Sequence, residues 1–545
     1  MTSRRDFLKT LATTGAATVL GPMTTQPLLA AADAVAAREQ WDAGAVAHLL
    51  PTVNHERMLI KVSFARPLTE TPLLRLDNGS TVAGERTDSV GEVWQFDASG
   101  LKPATDYRLA LAAGDGRPLC EPWTLRTFPA PSERPERLRL LIYTCAGGHD
   151  VFTPVNGKTM FLPVAVRKRL LRRGLSFQPD ALIANGDQVY WDLAAPRASP
   201  MLGASQRAKD YAGPFERAQP VFGTPNERFL KRAAGEQIAP LYGTDCRSTP
   251  VFFMRDDHDY FDNDEATDDI VTFPPNHWMR DLARNTQRMY YPEFLPDAAR
   301  PAGLPGASAL DRPPGAAESF GTLRYGTLAE VLLYEVRTSV TLTGPSAVFL
   351  DPDVERWLID RMAAKDTAHL INIPSNPPGW SAGKWGEWYP DLLDANGKLS
   401  VEKPKPYWQS GWLKQHDRLM TAVSGMRDRI PLVVSGDLHA IAEGRMLHTG
   451  SIDLGTNPVN VVLSGPLGTG DLLWPSAFRG IGAMPPVHLN MQENLKPIEE
   501  NGFLIADLTP DKIVLRFFRW NAHKDPLEAI DTLEPFRTTE LKRPG

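Results

Sequence analysis

From His55 to Phe128 apolar and polar residues alternate in short runs. Met58–Phe64, Thr71–Leu76, Val93–Asp97 and Tyr107–Ala112 each carry the two-residue period of a half-buried strand, and Gly, Asn, Asp and Pro separate them. The stretch Gly100-Leu101-Lys102-Pro103-Ala104-Thr105-Asp106-Tyr107 has the form of a corner in a fibronectin-like sandwich, where a Tyr folds back on the preceding turn. The pattern predicts a small N-terminal β-sandwich domain over residues 45–129, with a Pro-rich linker over 130–137.

Beyond the linker the period changes. Leu138–Tyr143, Ala181–Ala184, Pro250–Met254, Glu330–Val336, Leu370–Ile373, Pro431–Val434 and Asn460–Leu463 are continuous apolar runs, the pattern of strands buried on both faces. Val164–Arg173, Asp351–Ala364 and Trp412–Met426 read as helices between them. Strands alternating with helices predict an α/β domain over residues 138–545. Leu193–Pro240 and Pro296–Ala317 read as insertions or loops, and no internal repeat is evident.

The N-terminus reads as an address. Arg4 and Arg5 precede Phe7, Leu8 and Lys9; a moderately apolar stretch, Leu11–Leu20, follows, and then small residues at Ala30–Ala32 and Ala34–Ala37. This order is that of a twin-arginine signal peptide, residues 1–32, with cleavage near Ala32. A retained basic helix is the plainer alternative, but the order of charge, apolar run and small residues favours the signal. The expected partner is the Tat export machinery and the expected location periplasmic or secreted. The apolar stretch is too short for a stable membrane span.

Composition narrows the function. The formal net charge of -6 argues against a nucleic-acid-specific or membrane-surface binder. An anionic substrate therefore needs local help from metal ions or Arg residues. Three cysteines, Cys120, Cys145 and Cys246, are too few for a disulfide framework. Cys120 and Cys246 read as structural or idle. Cys145 stands apart because it follows a buried strand.

The chemistry gathers at strand ends. Leu138–Tyr143 runs into Cys145, and Ala181–Ala184 into Asn185-Gly186-Asp187-Gln188-Val189-Tyr190. Pro250–Met254 runs into Asp256-Asp257-His258-Asp259, and Pro431–Val434 into Ser435-Gly436-Asp437-Leu438-His439. Ligands of α/β sheets collect at the carboxyl ends of strands, so these residues are expected around one cleft. A centre of two cations bridged by a carboxylate suits phosphoester hydrolysis. Asp187, after a Gly, is the natural bridge. His258 is placed to protonate the leaving alkoxide, with Asp257 and Asp259 beside it to ligate or tune it. His439, two residues after Asp437, shares its side if the strand continues.

Gly186-Asp187-x-x-Tyr190, Asp256-Asp257-His258-Asp259 and Gly436-Asp437-x-His439 resemble the motifs of PhoD-type alkaline phosphatases, a branch of the calcineurin-like metallophosphoesterases. Cys145 stands where that branch uses a Cys, and Glu335-Val336-Arg337 resembles its Asp-Thr-Arg element with Glu for Asp. The resemblance runs in order over nearly the whole chain. It implies a two-sheet α/β sandwich of metallophosphoesterase type behind the small sandwich. It implies iron(III) bound by Cys145, Asp187 and Tyr190, with calcium nearby, and Asp257, Asp437 and His439 completing the metal site; other divalent metals suit the same residues. Two departures stand out. Cys145 is followed by Ala146-Gly147-Gly148-His149-Asp150, where His149 or Asp150 is placed to add a ligand or reshape the substrate mouth. Asn372, Ser375 and Asn376 lie where the wider superfamily supplies a further His.

The expectation is an exported hydrolase of phosphate esters, an alkaline phosphatase or phosphodiesterase with Asp187 and His258 as catalytic residues. A phospholipase D-like diesterase is the alternative within the class. A cell-surface binding protein with a degenerate hydrolase domain is the alternative outside it, and the intact set of metal-type residues argues against that one. Trp380, Trp385, Trp388, Trp408 and Trp412 either roof the site or pack under a long loop. Asp262 and Asp264 read as a solvated charge run.

Overall fold

The computed structural model describes residues 41–150, 157–191, 213–261, 273–306, 311–384, 386–400, 405 and 408–544. The signal peptide, Asp262, Asp264 and Trp385 lie outside them.

Eight strands form the N-terminal part: β1 (Val46–Val53), β2 (Arg57–Phe64), β3 (Leu73–Leu76), β4 (Thr81–Ala83), β5 (Glu85–Arg86), β6 (Val93–Ser99), β7 (Asp106–Ala112) and β8 (Trp123–Arg126). They make two antiparallel sheets, β1-β2-β6-β5 and β4-β3-β7-β8. The corner forms as its residues suggest: the Tyr107 hydroxyl accepts the Lys102 amide N–H at 2.7 Å. β1 and β2 are buried along nearly their full length, so their period is less clean than that of β7. Lys61 of β2 is fully buried and pairs with Glu293 at 3.0 Å. Glu293 also pairs with the buried Arg312 at 3.0 Å. Such a group is costly to strand, so it fixes how the sandwich meets the rest of the chain.

The remaining strands are β9 (Leu138–Tyr143), β10 (Ala181–Asn185), β11 (Val251–Met254), β12 (Phe320–Tyr325), β13 (Ala329–Tyr334), β14 (His369–Pro374), the small hairpin β15 (Leu392–Leu393) and β16 (Leu399–Ser400), β17 (Leu432–Ser435), β18 (Ile441–Thr449), β19 (Ile452–Asp453), β20 (Val459–Ser464), β21 (Leu489–Ile498), β22 (Asn501–Thr509), β23 (Lys512–Trp520) and β24 (Arg537–Lys542). One sheet runs β11-β10-β9-β22-β23-β24; the other runs β12-β13-β14-β17-β20-β18-β19, with β21 on β18. Both are mixed. β9, β10 and β11 are parallel in the first, and β13, β14, β17 and β20 in the second. These are the apolar runs of the sequence, and every residue of β10, β13 and β14 is buried. The antiparallel C-terminal strands escaped the sequence reading. β21 alternates buried or half-buried with exposed positions, yet its polar residues hide that period.

Further helical elements were not read from the sequence. Within Leu193–Pro240, helical turns run from Pro225 to Leu230 and, after a π-type turn, from Glu236 to Tyr242. Thr224 caps the first, accepting the Asn226 amide at 3.2 Å, with Pro225 at the first helical position. His277–Tyr290 is a helix capped by Asn276, which accepts the Met279 amide at 2.9 Å. Among the described residues no helix is long and apolar enough to cross a membrane.

Candidate metal centre

The parallel strands of both sheets end together, and the chain turns sharply there. Cys145 (φ 50°), Asp187 (φ 57°), Asp437 (φ 65°) and His439 (φ 47°) all adopt left-handed backbone conformations. Among the described residues only Ala104 and Gln178 otherwise do so without being glycine. Such conformations cost about 1–3 kcal/mol each and persist where surrounding structure holds them. Here the holding groups are identifiable. Asp259 accepts the amides of Asp187, Gln188, Val189 and Asp256, each at 2.8 Å. It is therefore a backbone clamp and not a metal ligand. Thr144 joins the two sheets: its hydroxyl donates to Asn185 O at 2.6 Å and accepts the Asp437 amide at 3.3 Å. Gly436 makes that junction possible, because a Cβ there would lie 2.2 Å from the Thr144 hydroxyl oxygen.

One half of the cluster holds sulfur, nitrogen and phenol donors. Cys145 Sγ lies 3.2 Å from Asp187 Oδ2. The Tyr190 hydroxyl is 3.3 Å from the same oxygen and 3.2 Å from His439 Nε2. His439 Nδ1 sits 2.8 Å from Leu473 O. A proton on Nδ1 serves that carbonyl and leaves the Nε2 lone pair facing the cluster. Ligand atoms of Cys145, Asp187 and His439 fall within 4.8 Å of one another. All three residues are buried. Burial, then the Asp187 charge, pushes the Cys145 thiol well above its usual range. Burial also raises Asp187, but His258, His439 and Lys384 outweigh it and hold the carboxyl below its ordinary value.

The other half is made of carboxylates. Asp256, Asp257 and Asp437 bring oxygens within 4.8 Å of one another, and Asp257 and His258 do the same with Asp187. Arg337 donates to Asp256 at 2.7 Å and reaches Asp437 at 3.7 Å. Asn376 donates to Asp437 at 3.1 Å. Lys384 lies 2.5 Å from Asp257 and also bonds Asp437. Against the penalty of burial, Lys384, His258 and Arg337 hold Asp257 well below the ordinary carboxylate range. His258 is buried beside them, 9% exposed, its ring 4.4 Å from that of Tyr190.

All the sequence-predicted metal and catalytic residues, Cys145, Asp187, Tyr190, Asp257, His258, Asp437 and His439, thus meet in one place. His149 and Asp150 do not. His149 faces Gln237 at 2.8 Å, and Asp150 caps the helix Val164–Ser176 through the Val164 amide at 2.9 Å while pairing with Arg167 at 3.1 Å. Arg167 in turn holds the carbonyls of Ala146 and Gly148, each at 3.0 Å, so this group shapes the Cys145 loop from behind. Glu335 meets Arg255 at 3.3 Å and Tyr260 at 2.6 Å, away from the carboxylate cluster. Trp388 and Trp412 pack on Phe349, each with ring centroids 4.5 Å apart, which is the packing role. Sequence reasoning missed Lys384, Gln237 and the Thr144 junction. No local pattern marks a Lys in a loop for burial.

The donors fit a bound cation. Asp187 Oδ1, Asp256 Oδ2 and Asn376 Oδ1 are buried without a hydrogen-bond partner, and a buried acceptor in that state is costly unless a cation or water serves it. Cys145 is a neutral thiol at this depth, and a bound cation would favour its thiolate form, the form that ligates metals.

The chain is thus a two-sheet α/β sandwich behind a small β-sandwich, and solved structures share that fold. The structure of PhoD shares it, aligning over 92% of this chain and 90% of its own, with a TM-score of 0.57 and 11% identity. So does the purple acid phosphatase PPD1 from yellow lupin (Lupinus luteus) seeds, over 91% and 74%, with a TM-score of 0.50 and 11% identity. At such identities the likeness is one of fold. No curated protein sequence matches the chain. Residues 1–21 match the TAT (twin-arginine translocation) pathway signal sequence, so the protein is exported by the twin-arginine route, to the periplasm or beyond.

Proposed function

We propose that the protein is an exported metal-dependent phosphoesterase, an alkaline phosphatase or phosphodiesterase acting on phosphate esters. The observation that carries this reading is the buried set Cys145, Asp187, Tyr190 and His439, in which Asp187 keeps one oxygen without a hydrogen-bond partner. Thiolate, phenolate and imidazole would suit iron(III), and the oxygens of Asp187, Asp257 and Asp437 would suit calcium. A metal ion bound there supplies Lewis-acid polarisation of a phosphoryl oxygen and a water made acidic enough to attack. The chain's own residues do the rest. His258 donates a proton to the leaving alkoxide, and its ring is kept in place against Tyr190. Asp259 fixes the turn that carries Asp187. Residues 1–32 serve as the signal, 45–129 as the sandwich domain, 130–137 as the linker and 138–545 as the catalytic domain.

The test is hydrolysis of nitrophenyl phosphate and bis-nitrophenyl phosphate by the purified mature protein, with metal analysis of the same sample. Turnover that chelation abolishes and metal restores is expected. Asp187→Asn should lose nearly all activity and at least one ion while still folding. A metal-loaded preparation with neither activity, or turnover that survives full removal of the metal, would overturn the proposal.

A further inference from the structure

Lys384 is an unexpected member of the cluster. It sits in the segment joining β14 to the helix Ser410–Ser424, yet it is only 8% exposed. Its ammonium group lies between two carboxylates, 2.5 Å from Asp257 Oδ2 and bonded to Asp437 Oδ1. These are oxygens that a second, oxygen-liganded ion would use.

The surrounding loop is built to deliver it. Glu387 accepts the amides of Ala382 at 2.9 Å and Lys384 at 3.0 Å. The buried Lys405 donates to the Lys384 carbonyl at 2.7 Å and pairs with Glu387. Gly386 offers its carbonyl to Arg337 at 2.9 Å. Its φ is +73°, and a Cβ there would lie 2.5 Å from the guanidinium. The same loop therefore positions both protein cations of the carboxylate half. The other half has no Lys or Arg in direct contact: among the described residues Asp187 makes its ion pair with His439, at 3.8 Å, and Lys384 acts on it only from farther away.

We infer that the Lys384 ammonium is the resident cation of the Asp257–Asp437 pair. The centre then holds one tightly bound ion, in the Cys145–Asp187–Tyr190–His439 half, and admits a second only by displacing Lys384. This inference rests on the metal-centre reading above. A buried carboxylate pair must be neutralised, and a tethered ammonium does so without the loss of freedom that capture of a free ion entails. Lys384 thereby sets the metal count and weakens calcium binding.

The experiment counts ions per chain in the mature protein after dialysis and titrates calcium into wild type, Lys384→Met and Lys384→Arg. Wild type should keep one ion and bind calcium weakly. Lys384→Met should bind calcium at least tenfold more tightly, with a melting temperature that rises with calcium. Should Lys384→Met fold only when calcium is supplied, that dependence is the same result. Lys384→Arg, which keeps the charge, should behave as wild type. Two ions retained by wild type, or calcium binding by Lys384→Met no tighter than wild type, overturns the inference and leaves the phosphoesterase reading standing. A wild-type protein that binds no metal overturns both.

Discussion

At the scale of single residues, the division of labour around Asp187 makes distinct predictions. His258 is proposed as the proton donor and not as a ligand, so His258→Ala should keep the metal content and lower turnover. The loss should be about 10²–10⁴-fold for alkyl phosphates, the usual contribution of general acid catalysis, and smaller for nitrophenyl phosphate, whose leaving group needs no proton. Equal losses on both substrates, or loss of metal, would reassign His258 as a ligand. Cys145 and Tyr190 give an optical test. A ferric ion held by thiolate and phenolate absorbs visible light, so the purified protein should be coloured. Cys145→Ser should fade the band and Tyr190→Phe should shift it, whereas Ser at Cys120 or Cys246, both buried away from the cluster, should leave it unchanged. An iron-loaded, fully active Cys145→Ser protein would refute the ligand assignment.

The elements decide where these residues can meet. Buried runs such as Ala181–Asn185 and Leu432–Ser435 were legible because parallel strands covered on both faces admit only apolar side chains. Their ends were legible too, since polar residues follow abruptly. The left-handed backbone at Cys145, Asp187, Asp437 and His439 was not: contacts between distant strand ends hold it, Asp259 beside Asp187 within one sheet and Thr144 against Asp437 between the sheets. Gly436 is the tightest of those contacts, its position 2.2 Å from the Thr144 oxygen and 2.8 Å from Asn185 O if a Cβ is added. Gly436→Ala should cost about 1–3 kcal/mol, the usual effect of overpacking, and should lower metal affinity by moving Asp437 and His439. A melting curve with metal analysis checks it; an unaltered protein would mean that the junction is soft.

For the whole molecule, burial of two histidines predicts the response to acid. Burial brings His48, in the sandwich, down to about 3 from 6.5. Burial, helped by the Arg167 charge, brings His149, behind the Cys145 loop, to about 3 from 6.5. Both are neutral when folded. Above pH 6.5 neither state is protonated and the two residues contribute no pH dependence. As pH falls below that value the unfolded chain takes up protons that the folded chain refuses. Stability therefore drops between pH 6.5 and about 3, by up to ~1.4 kcal/mol per pH unit for each group. Melting temperatures across that window should fall, and His48→Phe should flatten the slope. A wild-type melting temperature constant over the window would contradict the buried neutral state.

The amino-acid sequence by itself determined the order of the buried apolar strands, the export signal and the polar residues at the strand ends, because burial on both faces and the chemistry of a signal are written locally. Tertiary structure decided the rest. Thr144 and Asn185 from one sheet meet Gly436 from the other, and that contact turns four separate strand ends into one centre. It also decided the fate of charged residues whose neighbours in sequence give no hint of burial. His149 and Asp150 went to the wall behind Cys145, Asp259 to the backbone of the Asp187 turn, and Lys384 to the middle of the carboxylates. A side chain's partner across the fold, and so the charge of the site, is fixed only when distant strands close on each other, since neutralising a buried charge is a demand of the assembled interior and not of the local chain.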